Sequence, residues 1–133
     1  MLELTKNEVL SIIEEAIAAR EYAYVPYSHF KVGAVVIDEN NNHYKGCNVE
    51  NGSFGLTVCG ERTAIFTGVA NGMKKIKYLC VVADTTVPVA PCGACRQVMQ
   101  EFSDKDTKII MANLKKDYKI VTIAELLPFP FIL

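Results

Sequence analysis

The sequence predicts an α/β protein in which helices cover both faces of a mixed sheet of about five strands, a three-layer α/β/α arrangement. An amphipathic helix opens the chain, two β-branched runs separated by a turn cluster follow it, and strands then alternate with helices. With 133 residues, half of them apolar, the chain has the size of one domain with its own core. We therefore expect residues 1–133 to form a single domain.

The first helix begins at a capping box, because Thr5 and Glu8 have the spacing of that motif. Apolar residues then recur every three or four positions, which predicts a helix to about Tyr22. Val32 to Ile37 and His43 to Val49 have strand character, and a cluster of Asp, Glu and Asn residues separates them. These two segments predict a β-hairpin.

The middle of the chain predicts helix, strand and helix. Cys59 to Ala70 reads as a helix that ends at Asn71-Gly72, a typical left-handed stop. Ile76 to Ala83 predicts a buried strand. Pro91 is expected to open a third helix that continues to about Phe102, because the missing N–H of proline costs nothing at a first helical position.

The last third of the chain completes the sheet. Lys108 to Ala112 predicts a strand that forms a right-handed parallel crossover with Ile76 to Ala83, and Tyr118 to Val121 predicts a short extension. Thr122 and Glu125 repeat the capping box and predict a short last helix, which ends at Leu127-Pro128.

Three cysteines form the strongest motif. Cys59 stands two residues before Glu61, and Cys92 and Cys95 follow about thirty residues later, three apart, so that one helical turn directs both toward the same side. Thiolates bind Zn²⁺, and a catalytic zinc site uses three protein ligands and leaves the fourth position for water. We expect one Zn²⁺ per chain at these three cysteines.

Glu61 is the acid beside this group, and a zinc site closed by four protein ligands would have no use for it. Zinc makes hydroxide available near neutral pH, and Glu61 can take the proton from water and pass it to a ring nitrogen and then to a leaving amine. Arg62 and Arg96 each directly follow a motif residue. We expect both to draw negative charge off the sulfurs.

The other cysteines and the two histidines carry weaker signals. Cys80 lies in an apolar run and is expected to be a core thiol, whereas the sequence does not place Cys47. His29 and His43 have no second donor at helical or turn spacing, so neither is expected to bind metal. Five cysteines, an odd number, favour metal ligation and free thiols over a disulfide framework.

Composition limits the partners. The net charge is −1 and no run of Lys and Arg exceeds two residues, which disfavours nucleic acid. The chain shows neither a basic-then-apolar leader nor an apolar run of membrane-spanning length, so we expect a cytoplasmic protein with no membrane partner. Its apolar tail, which holds Phe129, Phe131, Ile132 and Leu133, is expected to be covered by a partner subunit.

The polar stretch from Asn48 to Ser53 has two interpretations. It is either a solvated turn, or an amide and a carboxylate placed after a strand end to bind the hydroxyls of a sugar. Spacing alone does not separate the two.

The motifs resemble the homotetrameric cytidine deaminases nearly from end to end. The pattern Cys59-x-Glu61 followed by Pro91-Cys92-x-x-Cys95 is the known signature of the wider zinc deaminase superfamily. Two further segments point to the free-nucleoside branch: Pro26-Tyr27-Ser28-x-Phe30-x-Val32-Gly33-Ala34 and Gly46-Cys47-Asn48-Val49-Glu50-Asn51. The resemblance also covers Glu125-Leu126-Leu127-Pro128.

The resemblance implies the cytidine deaminase-like fold and the zinc-dependent hydrolysis of cytidine and 2′-deoxycytidine to uridine and 2′-deoxyuridine. Ammonia is released, and the reaction belongs to pyrimidine salvage. By the same resemblance, Asn48 and Glu50 bind the ribose 3′-hydroxyl and Phe30 flanks the base. The backbone of Gly60, together with Glu61, holds the pyrimidine edge.

The resemblance also implies a homotetramer with shared active sites, in which Phe131 completes the site of a neighbouring subunit. The chain departs from the family pattern at three positions. Gly60 and Gly52 stand where alanine is usual, and Phe54 stands where tyrosine is common. Gly60 loosens the residue whose N–H is expected to meet the substrate, which is expected to change rate or substrate range without removing the chemistry. Phe54 lacks the hydroxyl of tyrosine.

Two alternatives remain open. A deaminase of blasticidin S, guanine or a base in RNA would carry the same zinc pattern, but RNA calls for a basic surface and blasticidin S has no ordinary ribose for Asn48 and Glu50 to bind. A zinc-binding protein without activity is the second alternative. The presence of Glu61 argues against it.

Overall fold

The computed structural model describes residues 3–133. Its helices are α1 (Lys6–Arg20), α2 (Gly60–Ala70), α3 (Gly93–Phe102) and α4 (Ile123–Leu126), and its strands are β1 (Val32–Asp38), β2 (His43–Cys47), β3 (Ile76–Ala83), β4 (Lys108–Asn113) and β5 (Tyr118–Val121). A single turn of 3₁₀ helix, Phe54–Leu56, was not expected from the sequence. The helices formed by residues 3–133 are too short, or too polar, for any of them to cross a bilayer.

The five strands form one mixed sheet in the order β2-β1-β3-β4-β5. β1 runs antiparallel to both β2 and β3, β3 runs parallel to β4, and β4 runs antiparallel to β5. The expected hairpin and the expected parallel pair around the third helix are therefore confirmed.

Alternate residues of the central strands supply two separate cores. On one face, Val35, Cys80 and Ile110 pack with the apolar side of α1. On the other face, Val36, Leu79 and Ile109 pack with α2, α3 and α4. This two-residue alternation places helices on both sides of the sheet, which confirms the three-layer α/β/α prediction.

The caps agree with the sequence at the outer helices and differ at the two helices that carry cysteines. Thr5 and Thr122 form complete capping boxes, as expected. The prediction that Pro91 begins the third helix is wrong, because Cys92 is the extended N-cap residue of α3. Cys59 is likewise the N-cap of α2 and not its first helical residue. Cysteine is not a usual capping residue, so capping preference does not predict either boundary.

Two other boundaries move by about two residues. α1 ends at Arg20 and not at Tyr22, and β2 ends at Cys47 and not at Val49. After Cys47 the backbone of Asn48 and Glu50 leaves the ladder and pairs instead with Tyr24, since Tyr24 N donates to Asn48 O and Glu50 N donates to Tyr24 O. This departure carries residues 48–50 over the end of the sheet.

A close approach between β2 and α2 fixes the position of the cysteine-bearing helix. A Cβ atom on Gly46 would lie 2.3 Å from the backbone nitrogen of Ala64 and 2.6 Å from the carbonyl oxygen of Gly60. Both atoms belong to the helix backbone, which has no rotamer to change. Only glycine at position 46 lets α2 lie this close to the sheet.

Replacing this glycine should displace α2. We expect Gly46→Ala to lower the free energy of unfolding by about 1–3 kcal/mol, the usual range for inserting a methyl group into a packed interior. Urea titration of the zinc-saturated protein measures the change. Gly55→Ala is the matched control, because a Cβ atom there would meet no atom within 4 Å. Equal destabilisation by the two variants would contradict the close-approach argument.

Candidate active site

The sheet directions bring the three cysteines together. Since β1 runs opposite to both β2 and β3, the last two end at the same edge of the sheet, and α2 and α3 begin just beyond that edge. Cys59 precedes the first residue of α2, Cys92 precedes the first residue of α3, and Cys95 lies in the first turn of α3. Ligands of α/β proteins commonly bind at the carboxyl ends of strands in this way.

The sulfur positions match a zinc site. The Sγ atoms of Cys59, Cys92 and Cys95 lie within 4.8 Å of one another, and those of Cys59 and Cys92 are 3.7 Å apart. Two thiolates that each lie about 2.3 Å from a tetrahedral zinc are separated by roughly 3.8 Å. Three protein sulfurs leave one tetrahedral position for another ligand. The cluster therefore fits a zinc ion of the catalytic type, as the sequence predicts.

The surroundings of Cys59 favour the thiolate. Its pKa is lowered to about 5, because its sulfur accepts hydrogen bonds from the Cys95 thiol and from Arg62. The guanidinium Nη2 of Arg62 lies 3.3 Å from Cys59 Sγ. The pKa of Cys95 is raised in turn, since its thiol donates to Cys59 and is buried. A bound divalent cation would hold all three sulfurs ionised. Three sulfurs close enough to hydrogen-bond to one another are therefore a donor set suited to a metal.

Glu61 lies in the first turn of α2, two residues from Cys59, and its residue is only 4% exposed. Burial raises the pKa of its carboxyl group to about 7, and the nearby Cys59 charge acts in the same direction. A carboxyl group that titrates near neutral pH can both accept and donate a proton under working conditions. Glu61 therefore lies beside the sulfurs, where a group that moves protons to and from an attacking water has to lie.

The two arginines, Arg62 and Arg96, have different hydrogen-bond partners. Arg62 contacts a sulfur, as described above. Arg96 instead donates from Nε to the carbonyl oxygen of Pro91 and from Nη1 to that of Leu126, each at 2.8 Å. Arg96 thus ties the segment before Cys92 to α4, and its hydrogen bonds within residues 3–133 do not place it on a sulfur. The expectation that Arg96 draws charge off the cysteines is not what its contacts indicate.

Asn48 and Glu50 hold the neighbouring segment of the chain. Asn48 is buried, its Oδ1 accepts from Val32 N at 2.9 Å, and its Nδ2 donates to Phe30 O at 2.8 Å. Glu50 accepts from the backbone nitrogens of Tyr27 and Ser28 at 3.0 and 3.1 Å and from the Ser28 hydroxyl. The polar stretch is therefore more than a solvated turn.

Gly60 is the first residue of α2 and lies against the same segment. A Cβ atom there would come within 3.2 Å of Val32 O and 3.4 Å of Asn48 N, which is tight but not prohibitive. Phe30 is 44% exposed. The structure thus brings Phe30, Asn48 and Gly60 together around the start of β1.

Phe131 lies apart from this group in the exposed tail. Its side chain is 71% exposed, and its carbonyl oxygen accepts from Gln97 Nε2 of α3 at 3.0 Å. The tail is thus held by its backbone while its apolar side chains face outward.

The histidines and the other cysteines have separate surroundings. Nδ1 of His43 lies 2.9 Å from the Glu15 carboxylate, which joins β2 to α1, and His29 occupies a loop with φ 59°. Cys80 is fully buried in the core, as expected. Cys47 is half-buried at the end of β2, and burial raises the pKa of its thiol. None of these residues belongs to the three-sulfur group.

Comparison with known proteins gives a consistent result. Residues 6–111 match the family model described as the cytidine and deoxycytidylate deaminase zinc-binding region. A cytidine deaminase of Halalkalibacterium halodurans is 51% identical over 120 residues, which cover 90% of this chain and 91% of that protein. A cytidine deaminase of Sporosarcina psychrophila is 49% identical over 124 residues, which cover 93% and 91%.

Solved structures agree with these relatives. The crystal structure of a cytidine deaminase from Burkholderia pseudomallei superposes with a TM-score of 0.89 at 43% identity. The match covers 96% of this chain and all of that one. At this identity the likeness extends beyond the architecture of the fold.

Zinc content tests the ligand set. We expect Cys92→Ala to lose most of the roughly one equivalent of zinc per chain, because two sulfurs do not complete the three-ligand set of a catalytic site. Metal analysis of the purified protein measures this. Cys47→Ala removes a half-buried thiol outside the cluster and should keep its zinc. Unchanged zinc in Cys92→Ala would contradict the assignment.

Proposed function

The chain belongs to the cytidine deaminase family, and we propose that it hydrolyses both cytidine and 2′-deoxycytidine, to uridine and 2′-deoxyuridine, with release of ammonia. The observation that carries this function is the buried Glu61 beside three sulfurs spaced for zinc. Its place in metabolism is the salvage of pyrimidine nucleosides, which fits the family.

The chemistry divides between the metal and Glu61. When bound at the three sulfurs, zinc supplies a water activated for attack near neutral pH. The Glu61 carboxylate removes a proton from the attacking water and delivers it to N3 of the ring. The water oxygen bonds to C4 in this first step. Glu61 then carries the remaining proton of that oxygen to the amino group, so that the C4–O bond becomes a carbonyl, the C4–N bond breaks and ammonia leaves. One group can serve both transfers because Glu61 is buried beside the sulfurs and a carboxyl group can both accept and donate a proton.

Arg62 limits the charge of the site. Three thiolates around a divalent cation carry a net charge of −1, which weakens the cation as a Lewis acid. The Arg62 guanidinium donates to Cys59 Sγ, and the N-termini of α2 and α3 direct their dipoles at Cys59 and Cys92. These groups withdraw charge from the sulfurs and so favour the activation of water.

The substrate contacts are assigned by position. Asn48 and Glu50 bind the ribose 3′-hydroxyl, Phe30 flanks the base, and the Gly60 backbone with Glu61 holds the pyrimidine edge. In support, Asn48, Phe30 and Gly60 lie together at the end of the sheet where Glu61 and the cysteines lie. Nδ2 of Asn48 uses one of its two protons on Phe30 O, which leaves the second for a ligand.

We further propose a homotetramer with active sites shared between subunits. Phe129, Phe131 and Ile132 are 100%, 71% and 72% exposed, and Cys92 and Phe30 are exposed as well. A nucleoside site is normally a cleft that covers most of its ligand. The exposed tail of a neighbouring subunit, with Phe131 beside the base, provides such a cover.

The wider surroundings agree with a free nucleoside as substrate. A net charge of −1 gives no attraction for a nucleic acid. The five cysteines are free thiols, which suits the reducing cytoplasm. The ribose contacts assigned to Asn48 and Glu50 favour nucleosides over blasticidin S, which has no ordinary ribose.

Substrate and proton carrier are tested in one assay. Ammonia release and the accompanying ultraviolet change are followed on cytidine, 2′-deoxycytidine, cytosine, adenosine and blasticidin S. We expect turnover of the first two only. Glu61→Gln should keep its zinc and its fold but lose at least about a hundredfold in kcat, because an amide of the same shape cannot carry a proton.

Glu101→Gln is the matched control, since Glu101 is an exposed residue of α3, and it should retain full activity. Turnover of adenosine or blasticidin S in place of cytidine would overturn the substrate. Activity of Glu61→Gln within about tenfold of wild type would remove Glu61 from the proton transfers.

The tail is tested by truncation. Deleting residues 130–133 removes Phe131, so we expect a raised KM for cytidine, a lower melting temperature, or both, because burying a large apolar side chain contributes roughly 1.5–3 kcal/mol. Deleting Leu133 alone keeps Phe131 and is the control. Sedimentation equilibrium on both proteins gives the assembly. A fully active monomeric wild type would refute the shared site, and a tetramer with unchanged KM would remove Phe131 from the pocket.

A further inference from the structure

The carboxylate of Glu50 is almost completely occupied by its own chain. Oε1 accepts from the backbone nitrogens of Tyr27 and Ser28, at 3.0 and 3.1 Å, and Oε2 accepts from the Ser28 hydroxyl. A carboxylate offers about four acceptor positions. Oε1 has used both of its positions, so one position remains, on Oε2. A ligand hydroxyl that donates to Glu50 must meet this position.

Ser28 determines where that remaining position points. Its hydroxyl has a single proton, which goes to Glu50 Oε2, and its oxygen accepts from the backbone nitrogen of Phe30 at 3.0 Å. The hydroxyl therefore fixes both the rotation of the Glu50 carboxylate and the backbone at Phe30. These are the two groups assigned to the sugar and to the base.

The turn between Ser28 and Phe30 needs this support. His29 lies between them with φ 59°, a left-handed conformation that costs a non-glycine residue on the order of 1 kcal/mol. Its backbone nitrogen bonds to Val25 O at 3.0 Å, and Asn48 holds the far side of the turn through Phe30 O. Ser28 is the residue in this turn whose side chain joins the turn to Glu50.

We propose that Ser28 is a positioning residue for the substrate: it directs the open acceptor of Glu50 toward the 3′-hydroxyl of the nucleoside and holds Phe30 in place for the base. The inference rests on the proposed function, which assigns Glu50 to the sugar. It adds that a serine in a separate loop sets the geometry of that contact.

A pair of variants of equal shape isolates the hydroxyl. Ser28→Thr keeps it, and Ser28→Val replaces it with a methyl group at an exposed position. Each variant is assayed with cytidine, with 2′-deoxycytidine and with 3′-deoxycytidine, which lacks the 3′-hydroxyl. Ser11→Ala, which removes an exposed hydroxyl from α1, is the control, and zinc content and circular dichroism verify each protein.

We expect Ser28→Val to raise KM for cytidine and 2′-deoxycytidine about tenfold relative to Ser28→Thr, the size expected for a hydrogen bond to a charged group. KM for 3′-deoxycytidine should rise less than for the other two substrates, because only the support of Phe30 is lost there, and kcat should change little. Ser28→Ala repeats the comparison with a smaller side chain in case Ser28→Val does not fold.

Two results would overturn the inference. An equal rise in KM for all three substrates would mean that Ser28 only stabilises the loop, and equal KM values for Ser28→Thr and Ser28→Val would mean that its hydroxyl is not needed. The underlying assignment is tested separately by the wild-type enzyme. If the wild type does not distinguish cytidine from 3′-deoxycytidine, Glu50 does not bind the 3′-hydroxyl and both claims fail; if it does, a failure belongs to Ser28 alone.

Discussion

The site depends on one constraint, which is that three sulfurs from two helices must lie within bonding distance of a single cation. Cys59 and Cys92 are 33 positions apart in the chain, yet their sulfurs are 3.7 Å apart. The sheet meets this constraint because β2 and β3 end at the same edge, so that each of the helices following them begins there. Gly46 has no side chain, which allows α2 to lie against the backbone of β2. The zinc ligands are thus a consequence of strand direction and of one missing side chain.

The same arrangement sets the electrostatics. Placing Cys59 and Cys92 at N-cap positions directs two helix N-termini at the sulfurs, and Arg62, one turn into α2, reaches Cys59 directly. Glu61 follows from this placement, because a residue two positions after an N-cap lies in the first turn and faces the cluster while remaining buried. Its raised pKa has the same origin as the zinc site, namely a dry interior next to concentrated negative charge. The Glu61 carboxyl group and the Cys59 sulfur are therefore positioned by the same helix start, that of α2.

The sequence predicted the elements whose causes are local and the ligands whose spacing is local. Capping boxes at Thr5 and Thr122 and the apolar runs of β1 and β3 depend on neighbours in the chain, and they agree with the structure. The N-cap positions of Cys59 and Cys92 were missed because cysteine is not a preferred capping residue and neither side chain makes a capping hydrogen bond. The hydrogen bonds of Ser28 to Glu50 and of Arg96 to Leu126 join residues 22 and 30 positions apart. The periodicity of apolar residues in a sequence does not predict such long-range pairs. Ser28 could be suspected from its place in the matched segment that begins at Pro26, but its partner Glu50 could not.

The three positions at which this chain departs from the family pattern all lie against the same segment of the chain. A Cβ atom on Gly52 would lie 3.0 Å from the Tyr27 hydroxyl, and one on Gly60 would lie 3.2 Å from Val32 O. The ring of Phe54 packs edge-on against Tyr27 with centroids 6.0 Å apart. All three positions therefore border the segment from Tyr27 to Val32, which Asn48 and Glu50 hold by hydrogen bonds. Glycine at 52 and 60 relieves contacts on this segment from two sides, while the zinc cluster and Glu61 rest on α2, α3 and the sheet. Under the proposed assignment of the substrate contacts, changes around Tyr27 can alter which nucleosides fit while the three cysteines stay in place.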